Sequence, residues 1–594
     1  MEKVESHHPA ARDVARRSDD AAPPIITADE ATIRARLWTL APTLHLVAGA
    51  VVIGAVFYWL QFSTRAICCG DFDGYYHIRW SQLLWDGLRQ GQFPPAFTWL
   101  PLTTLNPQDY VDHHLLFHVL QIPFTWFRDV RLGAKVSAAL FAGLAVFSCY
   151  WLVVRHRVSY PPVWLFALLG CSAPFLYRMN MAKAMSVSIV LLIVGIHLLF
   201  TRRYVWLLPL AFVFTLTYDM FVLLGVAAAL WTAVLLWSER RLHWQPPVYV
   251  GAGILTGLII NPYFPKNVQL LAAHVAMKVT AAGFSTAVGN EWYPYDSWDF
   301  FNNCLLAFVA MFAGYVAFQW REREGSARPL FFLIFSTLLL IANARWRRFA
   351  EYWPPFAVLF AAFSLQPLLA GARAALHQLP SEVLNDLQPF LDRQERAETL
   401  ERERERKKAG LAVAAFTGVL LAIWMGFTVL RETREIADSA PPEDYSAGLA
   451  WLRRNAPAGQ LVFNTDWDDF PKLFYYDPTH AYVSGLDPTY LHDQNPELSK
   501  LYEQITLGKE KDPGPLLRDR FGARYVFTDN EEVHDAFYNN ALDSGWFDEV
   551  YTDEHCTILY LRDQKGLPPG DEMEMEDEEE KATEGGASAQ GNEP

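Results

Sequence analysis

The fold is decided by the stretch Asp71-Phe72-Asp73-Gly74-Tyr75-Tyr76-His77-Ile78-Arg79, which follows the apolar segment Leu44 to Phe62 within a few residues. An apolar run of about 20 residues is long enough to cross a bilayer as a helix. Carboxylates, aromatic rings and a histidine directly after such a run predict polar chemistry at a membrane surface. The alternative is an interfacial belt, in which tyrosine and histidine lie at the depth of the lipid headgroups.

The composition indicates a protein with many membrane spans. Of the 594 residues, 52% are hydrophobic and 14% are aromatic, which exceeds the apolar share of ordinary soluble chains. The apolar runs predict a polytopic α-helical membrane protein with about 11–13 transmembrane helices. Eleven candidate spans lie at 43–62, 133–154, 161–178, 185–200, 204–217, 219–237, 247–261, 300–319, 329–343, 350–368 and 410–430.

Positive charge predicts the orientation of these spans. Arginine pairs such as Arg202 and Arg203 fall in alternate loops, and loops rich in lysine and arginine stay in the cytoplasm. The N-terminus is therefore expected to be cytoplasmic, and an odd number of spans places the C-terminal region outside. Two long segments, 63–132 and 262–299, are then external. The expected location is the plasma (inner) membrane.

Composition also divides the chain into regions. The expected regions are a disordered cytoplasmic arm at 1–40, a transmembrane domain at 41–430 that includes a charged cytoplasmic loop at 372–409, an extracytoplasmic α/β domain at 431–567, and an acidic disordered tail at 568–594. The α/β domain is predicted because short apolar strands alternate with helix-like stretches. The net charge of −15, without a basic face on the soluble part, argues against nucleic acid as a partner.

Candidate metal ligands lie in the first external segment. Asp71 and Asp73 are two residues apart, and carboxylates are the ligands that Mg²⁺ and Mn²⁺ prefer. Such an ion neutralises a phosphate leaving group. The run Asp112-His113-His114 can bind a metal or move a proton, although histidines at an interface are often only polar anchors. His77 is a candidate for contact with a substrate.

A cluster of arginines follows a later span. The run Ala344-Arg345-Trp346-Arg347-Arg348-Phe349 places three arginines at an external membrane face, against the charge bias of the other loops. Such a cluster predicts an anionic partner, for example a phosphate. The alternative is that these side chains reach toward lipid headgroups.

Taken together, these features resemble the catalytic subunits of oligosaccharyltransferases, which belong to the GT-C class of membrane glycosyltransferases. Four features carry the resemblance: Asp-Gly-Tyr-Tyr-His in the first external loop, an acidic residue in a later external loop, an Arg-Phe pair at the outer end of a late span, and a Trp-Asp pair after an early strand of the C-terminal domain. The resemblance implies a GT-C transmembrane domain with a C-terminal extracytoplasmic α/β domain.

The resemblance implies a role for each matching residue. Asp73 matches the aspartate that binds the divalent metal, Mn²⁺ or Mg²⁺, and helps to activate the acceptor, and Asp71 completes the Asp-x-Asp spacing. Glu291 stands where the family has a second catalytic carboxylate. Arg348 matches the arginine that contacts the donor phosphate, and Arg347 can share that role. A fixed guanidinium stabilises the charge that develops on a departing phosphate.

The sequence departs from the family in two places. Trp467 and Asp468 are the only residues that agree with the family's acceptor-reading Trp-Trp-Asp-Tyr-Gly motif, so the acceptor need not be the asparagine of a sequon. The family's second acidic motif is replaced by a turn that carries Arg178 and Lys183. These residues cannot ligate a metal, but they can bind a diphosphate or supply the charge of a cation. His77 is a further expected acceptor contact.

These observations predict a glycosyltransferase that moves a glycan from a polyprenyl phosphate or diphosphate donor to a protein or envelope acceptor outside the cytoplasm. One alternative is a GT-C enzyme that transfers a single sugar to a lipid, serine or threonine, with Asp71 or Asp73 as general base. Another is a scaffold or carrier whose site has degraded. The expected partners are the lipid-linked donor, the acceptor and the bilayer; the need for partner subunits is left open.

Overall fold

The computed structural model describes residues 28–69, 72–275, 289–319, 326–370 and 393–566. Several predictions fall on other residues. Most of the N-terminal arm, Asp71, the first half of the charged loop and the acidic tail lie outside the described residues. The remaining chain consists of a helical part up to Ala437, followed by a smaller domain with a β-sheet.

The helical part begins at Ala28, and short 3-10 turns connect several of its helices. The helices are α1 Ala28–Phe62, α2 Asp73–Arg89, α3 Leu115–Gln121, α4 Val130–Arg155, α5 Pro161–Gly170, α6 Ala173–Asn180, α7 Met185–Phe200, α8 Leu207–Thr217, α9 Val222–Glu239, α10 Gln245–Ile260, α11 Lys266–Val275, α12 Ser297–Asn303, α13 Leu305–Ala317, α14 Ala327–Arg345, α15 Trp353–Ala370 and α16 Arg393–Ala437.

Within the described residues, five helical segments are long and apolar enough to cross a membrane, and two bent helix pairs raise the number to seven if each pair crosses once. The five are Pro42–Phe62, Val130–Arg155, Asp219–Glu239, Ala327–Arg345 and Lys408–Ala437. Each of the eleven predicted spans coincides with helix. Four of them, however, fall on helices α7, α8, α10 and α15, which are too short or too interrupted to pass the same test. The count of eleven to thirteen spans therefore stays a prediction, as does the orientation.

The bend between α5 and α6 has a cause in the sequence. The two helices meet at 80°. Ser172 has extended backbone and its hydroxyl accepts a hydrogen bond from the Phe175 N–H at 3.3 Å, which begins a new helix. Pro174 lies in the first turn of α6, where its missing N–H costs nothing. The bend directs Arg178, near the end of α6, away from the axis of α5.

The C-terminal domain contains a five-stranded mixed sheet. Its strands are β1 Leu461–Asn464, β2 Ala481–Tyr482, β3 Tyr525–Asp529, β4 Phe547–Thr552 and β5 Cys556–Leu561, in the order β2-β1-β3-β5-β4. Strands β2, β1 and β3 are parallel, and β5 runs antiparallel to β3 and β4. Helices α17 Ser446–Asn455, α18 Phe470–Tyr476, α19 Thr489–Gln494, α20 Pro496–Thr506, α21 Pro513–Leu516 and α22 Asp535–Asp543 surround it. The predicted α/β domain is confirmed.

Both faces of this sheet are buried, in two separate cores. Successive side chains of a strand point to opposite faces. On β1, Val462 belongs to one core and Phe463 to the other; on β3, Phe527 and Val526 are divided in the same way. The core that contains Val462 and Phe527 also contains Trp80 and other residues of segment 63–132, which is named the first external segment after its predicted orientation. The domain and that segment therefore share one core.

Hydrogen bonds reinforce this shared core. The Tyr482 backbone N–H donates to the Trp99 carbonyl at 2.8 Å, and the Trp99 indole N–H donates to the Pro478 carbonyl at 2.7 Å. Phe97 stacks on Tyr110 with ring centroids 4.3 Å apart. The segment between α2 and α3 is thus fastened to the C-terminal domain, which fixes the position of α2 relative to that domain.

Replacement of Phe97 tests the shared core. Phe97 is 1% exposed, so Phe97→Ala is expected to remove about 3–5 kcal/mol from the free energy of unfolding, as buried Phe→Ala changes do. The measurement is the midpoint of thermal unfolding of the detergent-solubilised protein. Phe93→Ala is the matched control, because Phe93 lies in the same segment and is 42% exposed. Equal midpoints for the two variants would contradict the shared core.

Candidate functional site

A cavity of about 340 Å³ lies where the first external segment, the turn after α6, the segment before α12 and the residues after α14 meet the C-terminal domain. Most of the residues singled out in the sequence line it. They are Asp73, His77, His113, His114, Arg178, Lys183, Glu291 and Arg348. These residues come from segments far apart in the chain, so the fold assembles one site from them.

Asp73 is the first residue of α2 and lines this cavity. Its Oδ2 lies 2.7 Å from Nζ of Lys183, and a carboxylate is favoured at a helix N-terminus. The next residue is glycine for a steric reason: a Cβ at Gly74 would lie 2.6 Å from Cγ2 of Ile67. Its absence lets α2 approach the turn that carries Lys183. His77 is one helical turn beyond Asp73 and therefore faces the same side.

Glu291 links two arginines. Its Oε1 accepts from Nη1 of Arg348 at 3.1 Å, and its Oε2 accepts from Nη2 of Arg178 at 2.7 Å. Arg178 also donates from Nε to Oε1 of Glu351 at 2.8 Å. Glu351 is fully buried. The Glu291 carboxylate thus holds the two guanidinium groups close together, and the Glu351 carboxylate anchors the guanidinium of Arg178 from the buried side.

The charges of this cluster decide the ionisation of Glu291. Burial disfavours the charged carboxylate, but Arg348 and Arg178 outweigh it and hold the pKa of Glu291 well below its usual range. Glu291 is therefore ionised at neutral pH. Nε of Arg348 is buried and has no hydrogen-bond partner among the described residues, which leaves one donor of this guanidinium available.

Behind the cavity wall lies a buried chain of hydrogen bonds. Nδ1 of His77 is 2.7 Å from Nε2 of His118, and Nδ1 of His118 is 2.8 Å from Oδ2 of Asp112. The Trp80 indole N–H donates to the same Asp112 oxygen at 2.9 Å. Burial lowers the pKa of His77 and of His114 well below the ordinary value, so both rings are neutral at pH 7.

Only some of the predicted metal ligands lie close to other ligating side chains. Within the described part of the chain, two groups of three side chains bring metal-ligating atoms within 4.8 Å of one another: His77 with His114 and His118, and Asp466 with Asp529 and His534. Neither group includes Asp73 or His113. The Asp73 carboxylate is paired with an ammonium group instead. The described residues thus do not fit Mn²⁺ or Mg²⁺ at Asp73; because Asp71 lies outside them, that site stays a prediction.

Three predicted residues do not line the cavity. The guanidinium of Arg347 lies over the Tyr295 ring, 5.0 Å from its centroid, and its Nε donates to the Pro294 carbonyl at 3.2 Å. Trp467 and Asp468 lie in the loop that follows β1. The Asp468 N–H donates to Oδ1 of Asp466 at 2.8 Å.

Other residues of the cavity were not predicted. The C-terminal domain contributes Leu486, Asp487 and Tyr490, which lie between β2 and the end of α19. Tyr218 accepts a hydrogen bond from Nη2 of Arg348. One signal in the sequence was available: loops that follow parallel strands gather at one edge of a sheet, where binding residues are common, and the loop after β2 is such a loop.

Comparison with known proteins identifies the fold. No protein-family model and no curated protein matches the sequence. Solved structures of GT-C glycosyltransferases do match, and these include the following two. The oligosaccharyltransferase of Archaeoglobus fulgidus, crystallised with a tethered acceptor peptide that contains the NVT sequon, is 11% identical with a TM-score of 0.51, over 88% of this chain and 74% of that chain. ArnT from Cupriavidus metallidurans, in the apo state, is 13% identical with a TM-score of 0.50, over 89% of this chain and 98% of that chain.

Loss of the buried anchor Glu351 is expected to be costly. Glu351→Ala leaves the Arg178 guanidinium with one fewer carboxylate in a buried site, and breaking a buried ion pair costs about 3–5 kcal/mol. The readout is the midpoint of thermal unfolding in detergent. Glu443→Ala is the control: its half-exposed carboxylate pairs with Arg65, so its loss is expected to cost under about 1 kcal/mol. A Glu351 variant as stable as the Glu443 variant would rule out the anchoring role.

Proposed function

Because this chain has the GT-C fold, we propose that it is a membrane glycosyltransferase. It takes a glycan from a polyprenyl phosphate or diphosphate donor and transfers it to a protein or envelope acceptor outside the cytoplasm. One observation carries the proposal: Arg178, Lys183 and Arg348 reach a single cavity, next to the carboxylates of Asp73 and Glu291.

The cavity has the two properties that a lipid-linked donor needs. Arg178, Lys183 and Arg348 offer charge to a phosphate, and guanidinium groups bind phosphate oxygens in a fixed, bidentate geometry. The cavity lining also has an apolar part that includes Val222 and Leu223, which lie near the start of the membrane-length segment Asp219–Glu239. A polyprenyl phosphate combines an anionic head with an apolar chain, so it matches both parts of the lining.

We expect the arginines to act on the leaving group. In a direct displacement, the acceptor atom bonds to the anomeric carbon while the bond from that carbon to the phosphate oxygen breaks, and the configuration inverts. Negative charge grows on the departing phosphate, and donors that are already in place stabilise it without rearrangement. Glu291 keeps Arg178 and Arg348 side by side for this purpose. Lys183 supplies part of the positive charge that a metal supplies in the related enzymes.

Asp73 is proposed to orient the acceptor and to receive its proton. Its pairing with Lys183 keeps the carboxylate at the cavity. We propose that His77 contacts the acceptor inside the cavity, and that Trp467 and Asp468 contact it outside.

One observation favours the single-sugar alternative. The residues of the C-terminal domain that line the cavity are Leu486, Asp487 and Tyr490 and not Trp467 and Asp468. If the acceptor motif does not face the reaction, the acceptor need not be a peptide asparagine. A hydroxyl of a lipid, serine or threonine is then the second candidate. Identification of the glycosylated product by mass spectrometry distinguishes the two.

Asp73→Asn tests the proposed catalytic carboxylate. Purified protein in detergent is incubated with a polyprenyl-linked glycan pool and envelope acceptors, with Mn²⁺ or with EDTA. Loss of a general base lowers the rate by about 10²–10⁴-fold, so a loss of this size is expected. Asp86→Asn is the control, since Asp86 lies on the same helix outside the cavity lining. Wild-type transfer that is unaffected by Asp73→Asn would contradict the assignment.

A pair of adjacent arginines tests the phosphate site. Arg348→Gln is expected to reduce transfer by about 10²–10³-fold, the typical cost of removing one donor to a developing anion. Arg347→Gln is expected to keep most of the activity, because Arg347 packs on Tyr295 outside the cavity. Initial rates at saturating donor give the comparison. Equal losses would mean that Arg347 shares the role, as the sequence resemblance implies.

A further inference from the structure

Three imidazole rings meet at the inner wall of the cavity. His77 comes from α2, His114 directly precedes α3, and His118 lies one turn into α3. The spacing of four residues between His114 and His118 places both on one side of the chain. Ligand nitrogens of all three rings lie within 4.8 Å of one another. His77 and His114 line the cavity, and His118 is fully buried behind them.

A second layer of groups orients these rings. The Asp112 carboxylate accepts from Nδ1 of His118 at 2.8 Å, from the Trp80 indole at 2.9 Å and from the His114 backbone N–H at 2.9 Å. Nδ1 of His118 therefore carries the proton, and its Nε2 lone pair points toward His77. A carboxylate that fixes the tautomer of a ligating histidine in this way is typical of metal sites.

We propose that His77, His114 and His118 bind one divalent transition-metal ion of the zinc type, with its fourth position open to the cavity. Three imidazole nitrogens suit zinc, copper or nickel, whereas magnesium and manganese favour carboxylate oxygens. Three histidines with one open position are the pattern of a catalytic zinc site. This site is separate from the carboxylate site predicted at Asp71 and Asp73.

The observed geometry is close to what such an ion requires. The 2.7 Å distance between Nδ1 of His77 and Nε2 of His118 is that of a hydrogen bond, so one proton lies between the two nitrogens. Tetrahedral zinc with Zn–N bonds of 2.0–2.1 Å separates its ligand nitrogens by about 3.4 Å. The two rings need to separate by about 0.7 Å, and the proton moves from Nδ1 to Nε2 of His77 when the metal binds, so that this ring ligates as a neutral imidazole.

The open position indicates the class of acceptor, an inference that rests on the proposed function. A zinc ion lowers the pKa of a bound water or hydroxyl to near neutrality. A hydroxyl bound there loses its proton to the Asp73 carboxylate, its oxygen bonds to the anomeric carbon, and the sugar–phosphate bond breaks with its electron pair on the phosphate. The acceptor is accordingly a hydroxyl compound, which agrees with the second candidate function above.

The test measures metal binding directly, without substrate. Full-length protein purified in detergent is equilibrated with Zn²⁺, freed of unbound ion, and assayed by elemental mass spectrometry; roughly one zinc per chain is expected. Replacement by Co²⁺ is expected to give the visible absorption of a tetrahedral site. His118→Ala and, as a second variant, His114→Ala are expected to lose the metal. Asp112→Asn is expected to weaken zinc affinity by about 10–100-fold.

His113→Ala is the matched control. His113 adjoins His114 but belongs to neither ligand group, so this variant is expected to retain zinc and the Co²⁺ spectrum. Wild-type protein that binds no zinc, or equal metal loss in the His113 and His118 variants, overturns the inference. Transfer activity is measured on the same samples. Zinc binding without transfer counts against the proposed function alone, and transfer by metal-free protein counts against the inferred activation of the acceptor hydroxyl by the metal.

Discussion

The structure of the site depends on one carboxylate that holds two guanidinium groups together. Arg178 and Arg348 carry the same charge and would repel each other in a partly buried cavity. Glu291 accepts from both, and Glu351 anchors Arg178 from the buried side. Three segments that are more than 50 residues apart in sequence are brought together by these contacts. Because the site is partly buried, breaking either pair would leave an unpaired charge at a high cost in free energy. The pairs therefore stay formed, which makes the arrangement rigid.

A second constraint is the core that the first external segment shares with the C-terminal domain. Trp80 and Phe97 pack in the same cluster as Val462 and Phe527. The helix that begins at Asp73 is therefore fixed relative to the loop that carries Leu486 and Tyr490.

Much of the site could be predicted from the sequence because the charge bias of the loops placed the unusual polar residues at one membrane face. Asp73, Glu291 and Arg348 all fall on external segments by that rule, and the structure brings them to one cavity. Their pairing could not be predicted. Glu291 bonds to Arg178 across 113 residues, and such a contact depends on how the helices pack and not on any local pattern.

Other features were beyond the sequence for different reasons. Glu351 stands at the start of an apolar run, where a carboxylate normally faces water, and only tertiary packing buries it. The GT-C fold, which the resemblance to a known family implied, and the α/β domain were predicted correctly. The apolar helices and the alternating strands themselves have strong periodic signals. The number of spans could not be fixed from the sequence, because an apolar helix of 10–17 residues can be either a buried core helix or a membrane span.

The apolar part of the cavity lining, which includes Val222 and Leu223, has a consequence for how affinity is defined in this system. The lipid-linked donor proposed for this protein would reach the cavity from the bilayer, where it is dissolved in two dimensions, so its effective concentration would be its mole fraction among lipid or detergent molecules. Adding detergent dilutes this substrate although the volume of the sample is unchanged. The acceptor, if soluble, is not diluted in this way. The same protein will therefore show different half-saturation values for the donor in micelles and in liposomes, while the bound complex is identical.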